Sequence, residues 1–359
     1  FAEAYLNLAM LLRKNHQYND AINCCKKALK LNENLSLAKS ELIISKGFIC
    51  DWSEQELQNK WLSKLGIEGS PVPPFGLIPY IDNPLHHFQR SKRFFQEKYF
   101  RPTTASITPS KKKKIHIGYF SADFKDHPVM HLISSLLELH DKSKFEIYLY
   151  SFVQKEDLYT NKAKESGCIF RNINDITDLE AVNLARSDKL DIAIDLMGYT
   201  QDGRLSIFTY RVAPIQINYL GYPGSLGTEI FDYIIADKIV IPEKNENFYA
   251  EKVIRMPNCY LCTDDKMAIS KDPISRKDFN LPEKGFVFTC FNGMKKITPN
   301  EFDIWMRLLT KVKGSVLWLK EANDSSIDNL RKEAEKRNVD KNRLIFAKSL
   351  PLDKHLASH

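Results

Sequence analysis

The sequence predicts an α/β protein made of two doubly wound parallel-sheet units in tandem, preceded by an all-α helical repeat. Three observations carry this prediction. Helical periodicity with small residues at crossing positions fills residues 1–50. From Ile115 onward, short β-branched and aromatic runs alternate with helical stretches. A second series of the same kind begins at Phe286.

The length of 359 residues exceeds one ordinary core and points to two or three domains. With 43% apolar and 27% charged residues the balance is that of a soluble globular chain. No run approaches the roughly 18 apolar residues of a membrane span, so no membrane partner is expected. The chain opens on Phe1 inside a helical pattern and closes at His359 on an unfinished one. Both ends read as cuts, and any targeting signal lies out of view.

Tyr5-x2-Leu8-Ala9-x2-Leu12, then Ala21-x3-Cys25 and Ala28, follow the tetratricopeptide spacing. Ala9 and Ala21 are small enough to let two helices approach. Tyr5, Leu8 and Leu12 share one predicted face, and Ile22, Cys25 and Leu29 share another. A third helix over 35–48 stacks on this pair. One repeat cannot bury its own face, so residues 1–50 read as the end of a longer array, suited to presenting protein partners. Residues 51–110 form a connector. It holds a helix start at Cys50-Asp51-Trp52-Ser53, breaks at Pro71, Pro73, Pro74 and Pro79, and a helix with Phe88, Phe94 and Phe95.

Residues 111–250 make the first Rossmann-like unit. Its predicted strands are Ile115–Phe120, Phe145–Phe152, Ile169–Ile173, Asp191–Met197, Ile215–Leu220 and Tyr233–Ala236. Residues 251–285 read as a linker. Residues 286–359 start a second, incomplete unit with strands Phe286–Phe291, Ser315–Leu319 and Arg343–Ala347. Such units bind ligands at the carboxyl ends of their strands.

The formal charge is +7, and four positives sit in the run Lys111 to Lys114. No aromatic residues interleave with that run, so it reads as a solvated linker and no nucleic-acid partner is expected. Seven cysteines in this length make no disulfide framework. The Cys259/Cys262 pair lacks the second pair or histidine of a zinc site. Reduced thiols, a cytoplasmic setting and no metal site follow as expectations.

Four loops carry candidate chemistry. The first strand runs into Asp123-Phe124-Lys125-Asp126-His127-Pro128. Pro128 suits the first position of a helix, and Asp126 or His127 caps it. This places an imidazole and two carboxylates at a helix N-terminus, where an anion finds free N–H groups. A purely structural role, with Asp126 as a cap and His127 packed, is equally open. The second loop is Gly198-Tyr199-Thr200-Gln201-Asp202-Gly203-Arg204. The third is Gly221-Tyr222-Pro223-Gly224-Ser225-Leu226-Gly227, glycine-rich but neither a Walker loop nor a dinucleotide fingerprint. In the fourth, Asn292-Gly293-Met294-Lys295-Lys296 precedes a Thr298/Glu301 capping box with Pro299 at the first helical position. Two lysines ahead of a helix N-terminus can hold a diphosphate, or they can simply be solvated.

Together these segments resemble the catalytic region of the O-GlcNAc transferase and SPINDLY family behind its tetratricopeptide repeats. The matching stretches are IGYFSADFKDHPVMHLI, DIAIDLMGYTQDGRLSIFTYRVAPIQINYLGYPGSLG, DYIIAD and FNGMKKITPNEFDIWMRLLTKVKGSVLWLKE. They are closest in flavour to bacterial, SPINDLY-like members. The resemblance implies a GT-B fold and transfer of a sugar from a nucleotide-sugar donor to Ser/Thr of proteins, inverting and without a metal. No cofactor is implied beyond the donor substrate, UDP-GlcNAc or GDP-fucose. By the same resemblance His127, Lys296 and Asp123 are catalytic candidates, with Lys296 on the donor diphosphate. Asp126, Pro128, Tyr199, Leu220, Gly221, Gly224 and Asn292 fall in the stretches that line the substrate site.

Three departures from the family pattern leave the sugar open between N-acetylglucosamine and fucose. Pro73-Pro74-Phe75-Gly76 replaces a stretch with a further active-site histidine, Gly293 replaces a glutamine beside the lysine, and Val129 replaces a threonine. The family's His-Thr-Thr segment falls past His359, so the donor site is expected to be incomplete. Two rival readings are a repeat-based protein-binding scaffold with a degenerate catalytic half, and an enzyme that glycosylates another group such as an Asn side chain. Retention of His127 and Lys296 argues against the scaffold.

Overall fold

The structure, a computed structural model, describes residues 1–99, 107, 108 and 111–358. The remaining residues of the expected connector and His359 lie outside the described residues. The chain divides into two compact units. One joins residues 1–72 and 76–82 to 267–359, and the other holds 73–75 and 83–266.

The first unit opens with three helices, α1 (Ala2–Lys14), α2 (Tyr18–Leu31) and α3 (Ser36–Phe48). Ala9, Ala21, Cys25 and Ala28 are fully buried where they cross, so the small residues do let the helices approach. The buried face of α1 differs from the predicted one. Leu6 and Ala9 are buried while Leu8 is 45% exposed. A fourth helix, α4 (Gln55–Leu62), starts later than the predicted start at Cys50. Cys50 instead takes a left-handed backbone with φ of 50°, and Asp51 turns its carboxylate onto the N–H of Ser53.

The second unit begins with α5 (Pro84–Lys98), capped by Asn83, whose side chain accepts the His86 N–H. It continues as β1 (Ile115–Ser121), α6 (Pro128–Leu139), β2 (Phe145–Ser151), α7 (Leu158–Glu165), β3 (Ile169–Asn172), α8 (Asp178–Ser187), β4 (Ile192–Asp195), α9 (Ser206–Thr209), β5 (Ile215–Asn218), β6 (Tyr233–Ala236) and β7 (Lys252–Arg255). The seven strands form one sheet in the order β3-β2-β1-β4-β5-β6-β7, and every pairing is parallel. β7 falls in the stretch read from sequence as linker. Its four residues carry Lys252 and Arg255 at the ends, which suits an edge strand and hides it from a hydrophobic pattern. The order reverses direction between β1 and β4, which makes a topological switch point at their carboxyl ends. Ile117, Tyr119, Ile133, Leu137, Ile147, Leu149 and Ile194 pack one face of this sheet against α6.

The chain then returns to the first unit with β8 (Val287–Cys290), α10 (Pro299–Lys311), β9 (Val316–Lys320), α11 (Asp324–Lys336), β10 (Leu344–Ala347) and α12 (Leu352–Ala357). These strands make a parallel sheet in the order β10-β9-β8. The helical repeat is locked to it through the end of α3. The carbonyls of Phe48 and Ile49 accept the side-chain amides of Asn323 and Asn329 at 3.1 and 2.8 Å. Those are the orphan acceptors of a helix C-terminus, met here by another element rather than by water. Cys50 is buried in the same core as Met294, Phe302 and Leu317. Among the described residues no helix is long and apolar enough to cross a membrane.

Candidate active site

The loop after β1 is built by short-range hydrogen bonds. Ser121 ends the strand, and its hydroxyl accepts the N–H of Asp123 at 2.9 Å. Asp123 is thereby held at the carboxyl end of β1, 8% exposed. His127, not Asp126, caps α6. Its backbone is extended, Pro128 takes the first helical position, and its Nδ1 accepts the N–H of Val129 at 3.3 Å. Asp126 is exposed, and its carboxylate pairs with His131 Nε2 at 2.9 Å. His131 meets that carboxylate and the ring of Tyr159.

The central pair is Asp123 and His127. The carboxylate Oδ2 lies 3.3 Å from Nδ1. Burial is the largest influence on both groups. It pushes the Asp123 carboxyl above its usual range, against the opposing pull of His127. It holds the His127 imidazolium below its usual range, although the Asp123 charge works the other way. The arrangement therefore favours a neutral imidazole, the form that can take a proton.

The loop after β4 is held from within. Asp195 is fully enclosed and accepts the N–H groups of Met197 and Gly198 at 3.0 and 2.9 Å. Burial raises its carboxyl to about 6, against those two bonds. Tyr199 follows, 8% exposed, and its hydroxyl donates to the carbonyl of Leu226 at 2.7 Å. Its polar group is thus committed to the protein, and its ring packs against Phe94 and Tyr222. Arg204 is committed too, with bonds to Asp178 and to the carbonyls of Ile173 and Ile176.

In the loop after β5, Leu220 takes a left-handed backbone with φ of 73°, unusual for a branched residue. Gly221 then passes so close to β4 that a Cβ there would lie 2.0 Å from the Leu196 carbonyl oxygen. The carbonyl of Gly224 accepts the Asn218 amide. Buried Glu251 anchors the whole turn, accepting the Ser225 hydroxyl at 2.6 Å and the Leu226 N–H at 2.7 Å. Glu251 and Asp195 escaped the sequence reading. Asp195 carries a faint signal, a carboxylate ending a strand two residues before a turn. Glu251 carries none, since its partners lie 25 and 26 residues away.

In the first unit, Lys296 stands exposed in a one-turn 3-10 helix, Met294–Lys296, directly ahead of α10. Its neighbour Lys295 is half-buried with Nζ 5.5 Å from the Phe48 ring. Burial, then the Lys296 charge, holds the Lys295 ammonium below its usual range. Asn292 is exposed and its amide donates to the Cys290 sulfur at 3.8 Å. Glu301 already accepts the N–H and hydroxyl of Thr298.

Among the described residues no group of three or more His, Cys, Asp or Glu side chains converges as a metal site. Cys259 and Cys262 are both free thiols.

A doubly wound unit with a His–Asp pair at its switch point, in a chain headed by helical repeats, has the character of a glycosyltransferase with an appended helical-repeat array. The comparisons agree. The family model for glycosyl transferase family 41 matches residues 92–272 and 268–358, and one for the tetratricopeptide repeat matches 2–35. The chain belongs to glycosyl transferase family 41. It is similar to the probable UDP-N-acetylglucosamine–peptide N-acetylglucosaminyltransferase SEC of Arabidopsis thaliana, 28% identical over 86% of this chain and 34% of that protein. The corresponding SPINDLY protein of the same plant is 33% identical over 58% of this chain and 23% of its own length. The chain thus spans about a third or less of these relatives. An O-GlcNAc transferase mutant from Thermobaculum terrenum superimposes with a TM-score of 0.80, covering 99% of this chain and 69% of that one at 22% identity. That likeness shows the fold: α/β with parallel sheets behind helical repeats.

Proposed function

We propose that this chain is the repeat-proximal part of a protein O-glycosyltransferase that moves N-acetylglucosamine from UDP-GlcNAc to Ser/Thr hydroxyls. The observation that carries the proposal is the Asp123–His127 pair at the switch point of a family 41 domain. In the reaction the acceptor oxygen attacks the sugar C1, and the C1–phosphate bond breaks. Its electron pair leaves on the diphosphate, and the hydroxyl proton goes to a base. A His127 tautomer that donates Nδ1–H to Asp123 leaves Nε2 as that base. Lys296 neutralises the departing diphosphate electrostatically. Inversion at C1 and independence from metal belong to the same proposal, as do the repeats' capture of protein acceptors.

Mass spectrometry of acceptor proteins incubated with the full-length protein and UDP-GlcNAc or GDP-fucose, with and without EDTA, tests it. A gained N-acetylhexosamine, insensitive to EDTA and lost in His127→Ala, is expected. A deoxyhexose gained only from GDP-fucose would replace the sugar while leaving the mechanism. Full transfer by His127→Ala would overturn the assigned base.

A further inference from the structure

The first unit contains a cavity of about 170 Å³ walled by α3, α4, the Phe75–Tyr80 turn, Ile297 and Thr298 beside Lys296, and the start of α10. Its polarity is unusual for a space between packed helices. Gln55, Gln58, Asn59 and Asn300 bring four primary amides to it, and Trp52 and Tyr80 bring aromatic surface.

Two of its polar groups have no protein partner among the described residues. Gln58 is 6% exposed, and its side-chain Nε2 is buried and unbonded. The Tyr80 hydroxyl is likewise buried and unbonded. Its position is sterically arranged. A Cβ on residue 47 would fall 1.8 Å from this oxygen, so glycine in the last turn of α3 is what admits it. A buried polar group without a partner is unfavourable, so a local disadvantage sits at this cavity.

The lining selects among ligand charges. Among the described residues no lysine or arginine lines the cavity, which disfavours an anion. Of the three carboxylates in the lining, Asp51 is paired with buried Lys46, while Asp82 and Glu301 have no cationic partner among the described residues, so the lining is rich in acceptors for hydroxyl groups. What remains are unpaired amide and hydroxyl donors beside carboxylate and amide acceptors. Such a lining suits a neutral ligand that both donates and accepts around its periphery. As to size, an apolar cavity of about 150 Å³ accommodates one six-membered ring.

We infer that this cavity binds a single neutral polyhydroxylated ring, a pyranose, with Gln58 and Tyr80 as its hydrogen-bonding anchors and Trp52 as an apolar wall. The sugar can be free or the terminal residue of a glycosylated protein. The inference does not rest on the proposed transferase reaction.

Saturation-transfer NMR on the whole chain tests it, with methyl β-glucoside and methyl β-N-acetylglucosaminide as probes. Excess UDP is present to fill any nucleotide-linked sugar site. Affinity in the roughly millimolar range is expected for so few ligand atoms. Gln58→Leu should weaken it about tenfold. Tyr80→Phe should raise the melting temperature of the free protein while weakening the sugar's hold, because it removes an unbonded oxygen that only a ligand satisfies. A glycopeptide that binds where the free glycosides do not would identify the source as a glycosylated protein. Absence of transfer from all three probes overturns the inference. So does binding unaltered in Tyr80→Phe, the variant that decides if Gln58→Leu fails to fold, and so does preferential binding of methylammonium or inorganic phosphate.

Discussion

Nδ1 of His127 stands 3.3 Å from the Asp123 carboxylate and 3.3 Å from the Val129 amide nitrogen, two partners that require opposite protonation of the same atom. Unprotonated, Nδ1 caps α6. Protonated, it must release the cap and turn to Asp123. The helix terminus and the candidate base are therefore one switch, and its balance is measurable.

The His127 imidazole should titrate below its ordinary value of 6.5, because burial outweighs Asp123. Asp123→Asn should lower it further by removing the charge that supports the imidazolium. For this group the unfolded chain binds the proton more readily. Its contribution to stability is complete above pH 6.5 and is lost as pH falls through the folded value. Asp123, shifted upward, works in the opposite sense, so residue-resolved NMR titration is the measurement. If His127 is the base, the acid limb of kcat/KM follows its midpoint and moves down in Asp123→Asn.

Asp195 gives a second pH signature. Its folded value of about 6 lies above the ordinary 3.8, so the folded state holds the proton longer. Stability from this group is present below pH 3.8 and declines as pH rises through 6, by about 3 kcal/mol over that interval. Urea unfolding across the range should show that slope, and Asp195→Asn should flatten it. An unchanged slope in the variant would mean that the carboxyl is solvated in solution.

How much of this was legible in the sequence depends on the range of the interactions. The α6 start could be read from Asp126-His127-Pro128 because a cap is a local device, although which residue caps was left open. The six strands predicted for the second unit could be read because buried parallel strands are continuous apolar runs. The face of α1 was misread because its spacing fits two stripes, and only packing chooses Leu6 over Leu8. Glu251 could not be read at all. A lone acidic residue ahead of a charged strand looks solvated until the fold brings Ser225 and Leu226 to it.

Gly221→Ala should destabilise the protein by about 1–3 kcal/mol, since the new methyl meets a backbone oxygen that cannot rotate away. Gly224→Ala is the control. Its nearest atoms, at 3.0 Å, belong to the Tyr222 side chain rather than to backbone and lie farther off than the 2.0 Å at Gly221, so a smaller loss is expected. Equal denaturation midpoints for the two variants would contradict the close approach of the third loop to β4.

The adjacent lysines should separate cleanly. Lys295 is half-buried against Phe48, and its charge is already disfavoured by burial and by Lys296. Lys295→Ala should therefore lower the denaturation midpoint while leaving donor affinity nearly unchanged. Lys296 is exposed and immediately precedes α10, whose first turn has Glu301 engaged with Thr298. An exposed cation at such a position changes ground-state binding of an anion by roughly two- to fivefold. The effect on turnover should be larger, because negative charge grows on the diphosphate as the C1–oxygen bond breaks. Lys296→Ala is thus expected to reduce kcat more than it raises the donor KM, with unaltered stability. Lys296→Arg should recover part of the loss and show the same salt dependence as the parent. Steady-state kinetics of the full-length protein with UDP-GlcNAc at several ionic strengths is the test. Equal kinetic losses in Lys295→Ala and Lys296→Ala would show that the segment acts through its fold rather than through one charge.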